Sequence, residues 1–399
     1  MPPVSILVIG HDAGLGGAQL SLLDILARLD PARYRPLLVV PTPGPFVAAA
    51  RKRGFRCWWG LTQRWVFFRK RAFASRPWHL LAHPWLWAGF SLATLPLRLA
   101  ALALLVRKEG VRLIYSNTVT VADGALLARL LRLPHVWHLR EAVAGNADLD
   151  FPLPVARLPD FIRRHASHVI VNSAALRRQL FGADAPEQVR TIWNGIDLDA
   201  LVAPAQPLLP PDIPPGARLT GICGRLGERK GIDVYLQAVA RLGDGFDDVH
   251  HLVIGSGPMG QLAKLRALAA RLGIREHVHF LGFRDDAPAL LGNLSVLVSS
   301  ARQEAFGRTL IEAMAQGVPV VATKSGGPEE IVEDGKTGFL VDVGDAEGIA
   351  KGMARLLADP PLAASLGAAG RQRAHEHFDV QCMAAKVQQV FDEAMTKQR

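Results

Sequence analysis

The feature that most constrains this chain is an alternation that runs from one end to the other: short, unbroken apolar runs separated by longer amphipathic ones. The apolar runs fall at residues 6–9, 37–40, 113–116, 136–138, 169–172 and 189–193. A second series follows at 219–223, 251–254, 278–281, 296–299, 319–322 and 338–341. A strand with one face in water alternates apolar and polar residues, whereas a strand that is apolar throughout is covered on both faces. The intervening amphipathic runs supply those covers as helices. The pattern therefore predicts an α/β architecture with parallel, doubly wound sheets. A chain of 399 residues is too long for one ordinary domain and about right for two. The natural break is the stretch 203–216 (APAQPLLPPDIPPG), whose six prolines can continue neither a helix nor an inner strand. The expected organisation is a first Rossmann-like domain at 1–203, a linker at 204–216, a second at 217–378, and a tail at 379–399. The helix of that tail, about 380–397, is expected to pack back on the first domain. Two such domains would face each other across a cleft, with ligands at the carboxyl ends of the strands.

Charge is unevenly distributed. Residues 31–108 contain no Asp or Glu, yet hold fourteen of the 46 Lys and Arg residues. Outside that segment acidic residues slightly outnumber basic ones. Six of the eight tryptophans (Trp58, Trp59, Trp65, Trp78, Trp85 and Trp87) lie within it. Cations for headgroups and amphipathic rings for the boundary layer are what an anionic membrane surface attracts. Residues 80–97 carry no formal charge, at the lower edge of membrane-span length. His83, Pro84 and Pro96 interrupt them, so the segment 58–108 reads first as amphipathic helices lying on a membrane surface, with packing into the core and acceptor cleft, or a true span, as the alternatives. The three cysteines, Cys57, Cys223 and Cys382, show no metal-ligand or disulfide spacing, which suits a reducing compartment. The opening MPPVSILVIG reads as a buried first strand and not as a signal peptide.

Several constellations can carry chemistry. Straight after the first strand comes His11–Gln19, HDAGLGGAQ, in which Gly16 and Gly17 open a helix whose free N–H groups suit an anion. It is not the G-x-G-x-x-G of dinucleotide binding. The turn at 224–231 (GRLGERKG) places Arg225 and Lys230 at the end of a central strand, where two cations could hold a diphosphate without a metal. The stretch 304–315 (EAFGRTLIEAMA) sets Glu304 in the loop after a strand and Glu312 in the early turns of a helix that Gly307 opens. One carboxylate could face a sugar ring and the other a ribose, with the helix N-terminus between them for phosphates. His138 ends a strand in HLRE, and SGGPEE at 325–330 offers a further glycine turn. Each of these also has a plain reading, as a helix cap, a solvated surface charge or a satisfied histidine.

Taken together, in order and spacing over nearly the whole chain, these motifs resemble the GT-B-type retaining glycosyltransferases of glycosyltransferase family 4, also called group 1. The matching stretches are GGAQ at 16–19, HLRE at 138–141, NGID at 194–197, GRLGERKG at 224–231, GSGP at 255–258 and LGFRDD at 281–286. EAFGRTLIEAMAQGVPVVAT at 304–323 and GGPEEIVEDGKTGFLV at 326–341 complete them. The resemblance implies that Arg225 and Lys230 bind the donor diphosphate, that Glu304 faces the transferred sugar and Glu312 the ribose. It further implies that Phe306, Gly307, Arg308, Thr309 and Leu310 line the phosphate and sugar pocket with backbone N–H groups as donors, together with Gly255. Phe283 and Arg284 would lie beside the base. Gly16 and Gly17 would approach the phosphate or acceptor, and His138 the sugar or transferred centre. Gln19 departs from the family pattern, where Glu is common. The implied reaction is transfer of a hexose-type sugar from a UDP or GDP donor, with retention and without a metal or other cofactor. The implied acceptor is a glycan or a lipid-linked one, as in surface-polysaccharide assembly. The implied place is cytoplasmic, peripherally on the inner face of the membrane.

Three alternatives remain at this point. One is another GT-B activity, an epimerase or a phosphorylase. Another is a catalytically dead protein that binds sugar nucleotides and docks on membranes. The third is a nucleic-acid binder, which the pI of about 9.9 permits but which lacks any recognition motif, so no nucleic-acid partner is expected.

Overall fold

The computed structural model describes residues 2–68, 84–143, 149–201, 209–243 and 245–396. The chain forms two compact units, Met1–Asn194 with Val380–Arg399, and Gly195–Asp379. In the first unit β1 (Val4–Ile9), β2 (Tyr34–Val40), β3 (Arg56–Trp59), β5 (Val111–Ser116), β6 (His135–Leu139), β8 (His168–Val171) and β9 (Val189–Thr191) form one sheet. Its order is β3-β2-β1-β5-β6-β8-β9, parallel throughout. Two short strands, β4 (Phe67–Phe68) and β7 (Leu149–Asp150), pair separately as an antiparallel ribbon. The second unit holds β10 (Arg218–Cys223), β11 (Val249–Ile254), β12 (Val278–Gly282), β13 (Val296–Ser299), β14 (Val320–Thr323) and β15 (Gly338–Val341). Its order is β12-β11-β10-β13-β14-β15, again all parallel.

Both sheets thus wind outward from their first strand, reverse, and wind the other way. The reversal falls between β1 and β5 in one unit and between β10 and β13 in the other. The unbroken apolar runs follow from two-sided cover. Along β1, Ile6 and Val8 enter one core layer while Leu7 and Ile9 enter the layer on the opposite face. In β2, Leu38 and Val40 join the first layer and Leu37 and Val39 the second.

The helix Val380–Thr396 belongs to the first unit. Its Val387, Val390 and Phe391 are buried beside Leu22, Leu23 and Tyr115. Complete burial of a side chain such as Phe391 contributes about 1.5–3 kcal/mol. The division between units falls at Asn194, and not at 203 as the proline run suggested. Ile196 already pairs with Asp379 and donates its N–H to the Phe378 carbonyl at 2.9 Å, so the chain has joined the second unit before the prolines begin. Residues 204–208 of the expected linker lie outside the described residues.

The basic segment differs from expectation in two ways. Residues 56–59 form the edge strand β3, which the Trp-rich sequence concealed. Beyond 69–83, which lie outside the described residues and include Trp78 and His83, a single helix spans Pro84–Glu109 with Pro96 inside it. That helix is not amphipathic in the ordinary sense. Leu102, Leu105 and Val106 are buried against β1 and β2. On the same side Arg98 Nε and Nη2 bond the Asp123 carboxylate at 3.0 and 3.2 Å, and Arg98 Nη1 bonds Gln63 Oε1 at 3.0 Å. Leu86, Leu92, Leu97 and Leu104 are exposed by 50%, 70%, 75% and 66%. By length and composition Ala88–Glu109 could cross a membrane. The buried ion pair and core leucines make the helix a layer of the folded unit instead.

Candidate active site

The second unit gathers the predicted donor-binding residues at the carboxyl ends of β10 and β13, where the strand order reverses. The turn after β10 carries Arg225, which is exposed, and Lys230. Lys230 is followed by Gly231 in the left-handed region at φ 63°. A Cβ on Gly231 would stand 1.9 Å from the Ser300 carbonyl oxygen, so only glycine lets the two loops come this close. Ser300 Oγ donates to the Gly231 carbonyl at 2.8 Å and fixes the approach. The result is an ion pair: Lys230 Nζ lies 2.5 Å from Glu304 Oε2, with the two side chains 23% and 13% exposed.

Glu304 is held on its other side by the loop after β14. Its N–H bonds the Ser325 carbonyl at 3.0 Å, and the Gly327 N–H bonds the Glu304 carbonyl at 2.9 Å. Burial raises the pKa of its carboxyl, but Lys230, Arg229 and the Phe306 N–H outweigh that and hold it below the usual range. Glu304 is therefore a carboxylate held against a cation. The helix Arg308–Ala315 starts immediately beyond, with Gly307 at its N-cap. Arg308 Nε bonds Glu312 Oε1 at 2.7 Å across one helical turn. Cys223, at the end of β10, is pushed up to about 12 by burial, with the Glu312 carboxylate adding to that and Lys230 opposing it. Lys230 thus acts electrostatically on both Glu304 and Cys223.

Two of the residues expected to line the pocket with their backbone have their side chains in the core. Phe306 is buried and stacks edge-on against Phe378 at 5.9 Å. Leu310 is fully buried, and its N–H already bonds the Gly307 carbonyl at 2.9 Å. Both anchor the helix to the core, so any contribution by Phe306 is through its backbone. Arg308 and Thr309 are half-buried at the helix start. Gly255 has φ 132°, and a Cβ there would stand 1.9 Å from the Gly224 carbonyl, which locks the turns after β10 and β11 together. Phe283, after β12, is 59% exposed. Its neighbour Arg284 is paired bidentately with Asp286 at 2.6 and 2.5 Å.

The first unit gathers a second set at its own switch point. Gly16 caps the helix Gly17–Leu26. The loop before it is tied down: Arg64 Nε bonds the His11 carbonyl at 2.7 Å and Arg64 Nη2 lies 3.2 Å from Asp12. Gln19, the departure from the family pattern, is buried and bonds His11 Nε2 at 3.2 Å. Glu141 accepts from Thr118 Oγ1 at 2.8 Å and from the Val119 N–H at 3.1 Å. His138 is fully buried beside Tyr115, whose hydroxyl is 2.7 Å from His138 Nδ1. Arg140 reaches Asn117 Oδ1 at 2.8 Å, Ser21 Oγ at 2.9 Å and Asn194 Oδ1. Burial, and then the Arg140 charge, hold the His138 pKa well below the ordinary value, so the ring is neutral. Among the described residues its Nε2 has no hydrogen-bond partner, and a buried polar atom left so costs about 1–3 kcal/mol. Sequence reading did not single out Tyr115, Asn117 or Ser21, because they converge with His138 only through the strand order. Asn194 lies in the NGID stretch, which was recognised without a role.

Among the described residues, no group of three or more His, Cys, Asp and Glu side chains could hold a metal ion.

Two units, each with a parallel, doubly wound sheet and charged residues at its reversal point, define a protein of paired Rossmann-like α/β domains, and sequence comparison specifies the family. Residues 15–200 match the profile of glycosyltransferase family 4, and residues 210–373 that of glycosyl transferases group 1. The chain belongs to this glycosyltransferase family, and its fold is GT-B. It is 32% identical to the D-inositol 3-phosphate glycosyltransferase of Corynebacterium jeikeium, over 76% of this chain and 79% of that one. It is also 32% identical to the lipopolysaccharide core biosynthesis glycosyltransferase LpsE of Rhizobium meliloti, over 56% of this chain and 63% of that protein. The first curated relatives are thus matched over somewhat less than two thirds of their own length. Among solved structures, Anabaena HepE in complex with UDP and glucose superposes with a TM-score of 0.79 at 25% identity, covering 98% of this chain and all of that one. WaaG, a glycosyltransferase involved in lipopolysaccharide biosynthesis, shares the fold at a TM-score of 0.64 and 17% identity, over 96% and 98%.

Proposed function

We propose that this chain is a retaining glycosyltransferase that moves a hexose-type sugar from a nucleotide-diphosphate donor, UDP in the first instance, to a lipid-linked or surface-glycan acceptor. The observation that carries the proposal is the Lys230–Glu304 pair at the reversal point of the second sheet, inside the family's own motif. Lys230 and Arg225 are the cations that hold the diphosphate and stabilise its charge as it leaves. Glu304 accepts from sugar hydroxyls and Glu312 from the ribose. The start of the helix Arg308–Ala315 and the turn at Gly255 bring backbone N–H groups to the phosphates. Phe283 offers an exposed ring face for the base. In the first unit, Gly16, Gly17 and His138 are the residues we propose for ligand contact at that unit's own reversal point. Because two cations neutralise the departing diphosphate, the reaction needs no metal. Attack on the sugar comes from the face the leaving group departs, with the phosphate taking the acceptor's proton, and the protein's part is positioning and charge stabilisation. The UDP in HepE supports the choice of base.

The acid-free segment and the exposed leucines of the helix Pro84–Glu109 support a protein docked at the inner face of the cytoplasmic membrane, where a lipid-linked acceptor would lie. The test is a panel of nucleotide sugars, scored by calorimetric binding and by transfer to membrane extracts, with and without a chelator. Lys230→Ala and Glu304→Ala should each lower transfer by about 10²–10³-fold while circular dichroism stays unchanged. Near wild-type turnover in either variant, or loss of activity with the chelator, would contradict the corresponding part of the proposal. Formation of an epimer without acceptor, or release of the sugar to inorganic phosphate, would replace it with another GT-B chemistry.

A further inference from the structure

We infer that Arg373, which lies outside every motif singled out in the sequence, is a positioning residue for Glu304. It acts on that carboxylate through the short helix Pro328–Ile331. For ligands this rests on the proposed role of Glu304 toward the sugar; the coupling itself rests on geometry alone.

The backbone of Glu304 is gripped by the loop after β14, through Ser325 and Gly327, as one step of parallel pairing between Glu304 and Gly326. The approach is close: a Cβ on Gly327 would stand 2.2 Å from Phe306 Cα. Whatever holds Gly326 and Gly327 therefore holds Glu304. The helix that follows them, Pro328–Ile331, has only four residues. So short a helix is marginal alone, and a helix leaves its last carbonyls without partners inside it. Pro328 and Ile331 are buried, and the Val332 N–H returns to the Pro328 carbonyl at 2.9 Å. Arg373 closes the open end. Its Nε donates to the Ile331 carbonyl at 2.7 Å and its Nη2 to the Glu330 carbonyl at 2.9 Å. The third arm, Nη1, bonds Glu333 Oε1 at 2.6 Å. A planar cationic fork at a helix's carboxyl end satisfies both the geometry and the dipole of that end.

The helix that carries Arg373, Pro360–His377, braces the other side of Glu304 as well. Phe378, at its C-cap, stacks edge-on against Phe306, two residues beyond Glu304. A Cβ on Gly370 of the same helix would stand 3.5 Å from Met314 Cγ, on the helix Arg308–Ala315. Glu304 is thus carried by two segments that both lean on one helix. The cations Arg225 and Lys230 belong to a different loop, the turn after β10, whose brace is the Ser300–Gly231 hydrogen bond. Loss of Arg373 should therefore loosen the carboxylate assigned to the sugar and leave the cations assigned to the diphosphate in place.

The test compares three variants of the full-length protein. Arg373→Met keeps the stem and removes the fork. Glu333→Gln removes only the ion pair. Leu366→Ala destabilises the same helix from the core layer that Leu366 shares with Val321 and Met353. Amide hydrogen exchange reads the coupling with no ligand present. In Arg373→Met the Glu304 and Gly327 amides should exchange about 10–100-fold faster, the range for losing hydrogen bonds from a charged donor. The Gly221 and Leu252 amides of the inner strands β10 and β11 should hold their wild-type rates. Unchanged exchange at Glu304 and Gly327, or equal acceleration throughout the second unit, would overturn the inference. Calorimetry then sets UDP against UDP-glucose. In Arg373→Met the UDP affinity should stay within about twofold of wild type, while the preference for UDP-glucose over UDP should fall by about tenfold. Glu333→Gln should keep that preference, because both carbonyl bonds remain, and Leu366→Ala should keep it while lowering the melting temperature. An equal loss of UDP and UDP-glucose affinity in Arg373→Met, or the same loss of preference in either control, would refute the positioning role. If the wild type binds neither ligand, or both alike, the proposed role of Glu304 fails and the exchange rates alone decide whether Arg373 holds it.

Discussion

Removing the charge of Lys230 should reveal how strongly it is coupled to Glu304. In Lys230→Met the hydrocarbon stem is kept and Glu304 is left as a largely buried carboxylate 13% exposed. Breaking a fully buried pair costs about 3–5 kcal/mol. Here the partners retain 23% and 13% of their exposure, and Arg229 still contributes attraction. Solvent screening therefore lowers the expected cost to about 2 kcal/mol, or roughly 4–8 °C in the melting temperature of a unit of this size. The pH dependence has a definite sign. In the wild type the Glu304 pKa is depressed on folding, so its contribution is fully present above the unfolded carboxyl pKa and is lost as pH falls through the folded value. In Lys230→Met the carboxyl, buried without its main cation, moves the other way. The stability gap between the two proteins should therefore be widest near neutral pH and close in acid. Glu304→Gln in the Lys230→Met background should restore most of the lost stability, because no buried charge remains. The assay is a double-mutant cycle by urea unfolding at neutral and acid pH, following the transition of the second unit. A coupling below about 0.5 kcal/mol, the usual limit of additivity, would show that the pair is only a surface contact and refute the reasoning. The restored double variant should still be inactive, which separates the pair's part in stability from its part in binding.

Two further changes probe the loops and the helix. Gly231→Ala forces a left-handed backbone and a Cβ 1.9 Å from the Ser300 carbonyl. The backbone alone should cost about 1–2 kcal/mol, and UDP affinity by calorimetry should fall as Lys230 is displaced; unchanged affinity would count against the placement of that turn. The wild-type protein should co-sediment with phosphatidylglycerol vesicles in a salt-sensitive way. Leu92→Glu with Leu97→Glu should weaken that by about 30-fold or more, the equivalent of about 2 kcal/mol of lost apolar burial, and binding indifferent to both lipid charge and these substitutions would refute membrane docking.

The strands were legible because a doubly covered parallel strand leaves a continuous apolar run, and residues such as Ile6, Leu7, Val8 and Ile9 fill two opposite core layers at once. Edge strand β3 was not legible, since Arg56-Cys57-Trp58-Trp59 has an exposed side and reads as part of a basic segment. The proline run marked a break strongly but in the wrong place. The pairing of Ile196 with Asp379 that sets the true division joins residues far apart in sequence. In the site, the charged residues of the second unit could be read from motifs because Arg225 and Lys230 follow β10 closely and Glu304 follows β13, with Glu312 on the helix just beyond. Phe306 and Leu310 read as part of the loop and helix start that would line the pocket with backbone N–H groups, while the burial of their side chains in the core had no signal in the motif. Tyr115, Asn117 and Ser21 sit on different elements, and only the strand order gathers them around His138 and Arg140.

The helix Val380–Thr396 bears on how the protein is made. The second unit is one continuous stretch, Gly195–Asp379, and can finish folding as soon as it has left the ribosome. The first unit cannot. Its core face of Leu22, Leu23 and Tyr115 waits for Val387, Val390 and Phe391, which are synthesised after the whole second unit. Of the two units, the one begun first is therefore the one completed last, with an apolar surface open until the second has been made. A chain stopped just after Asp379 would leave the second unit whole and the first exposed to chaperones and proteases.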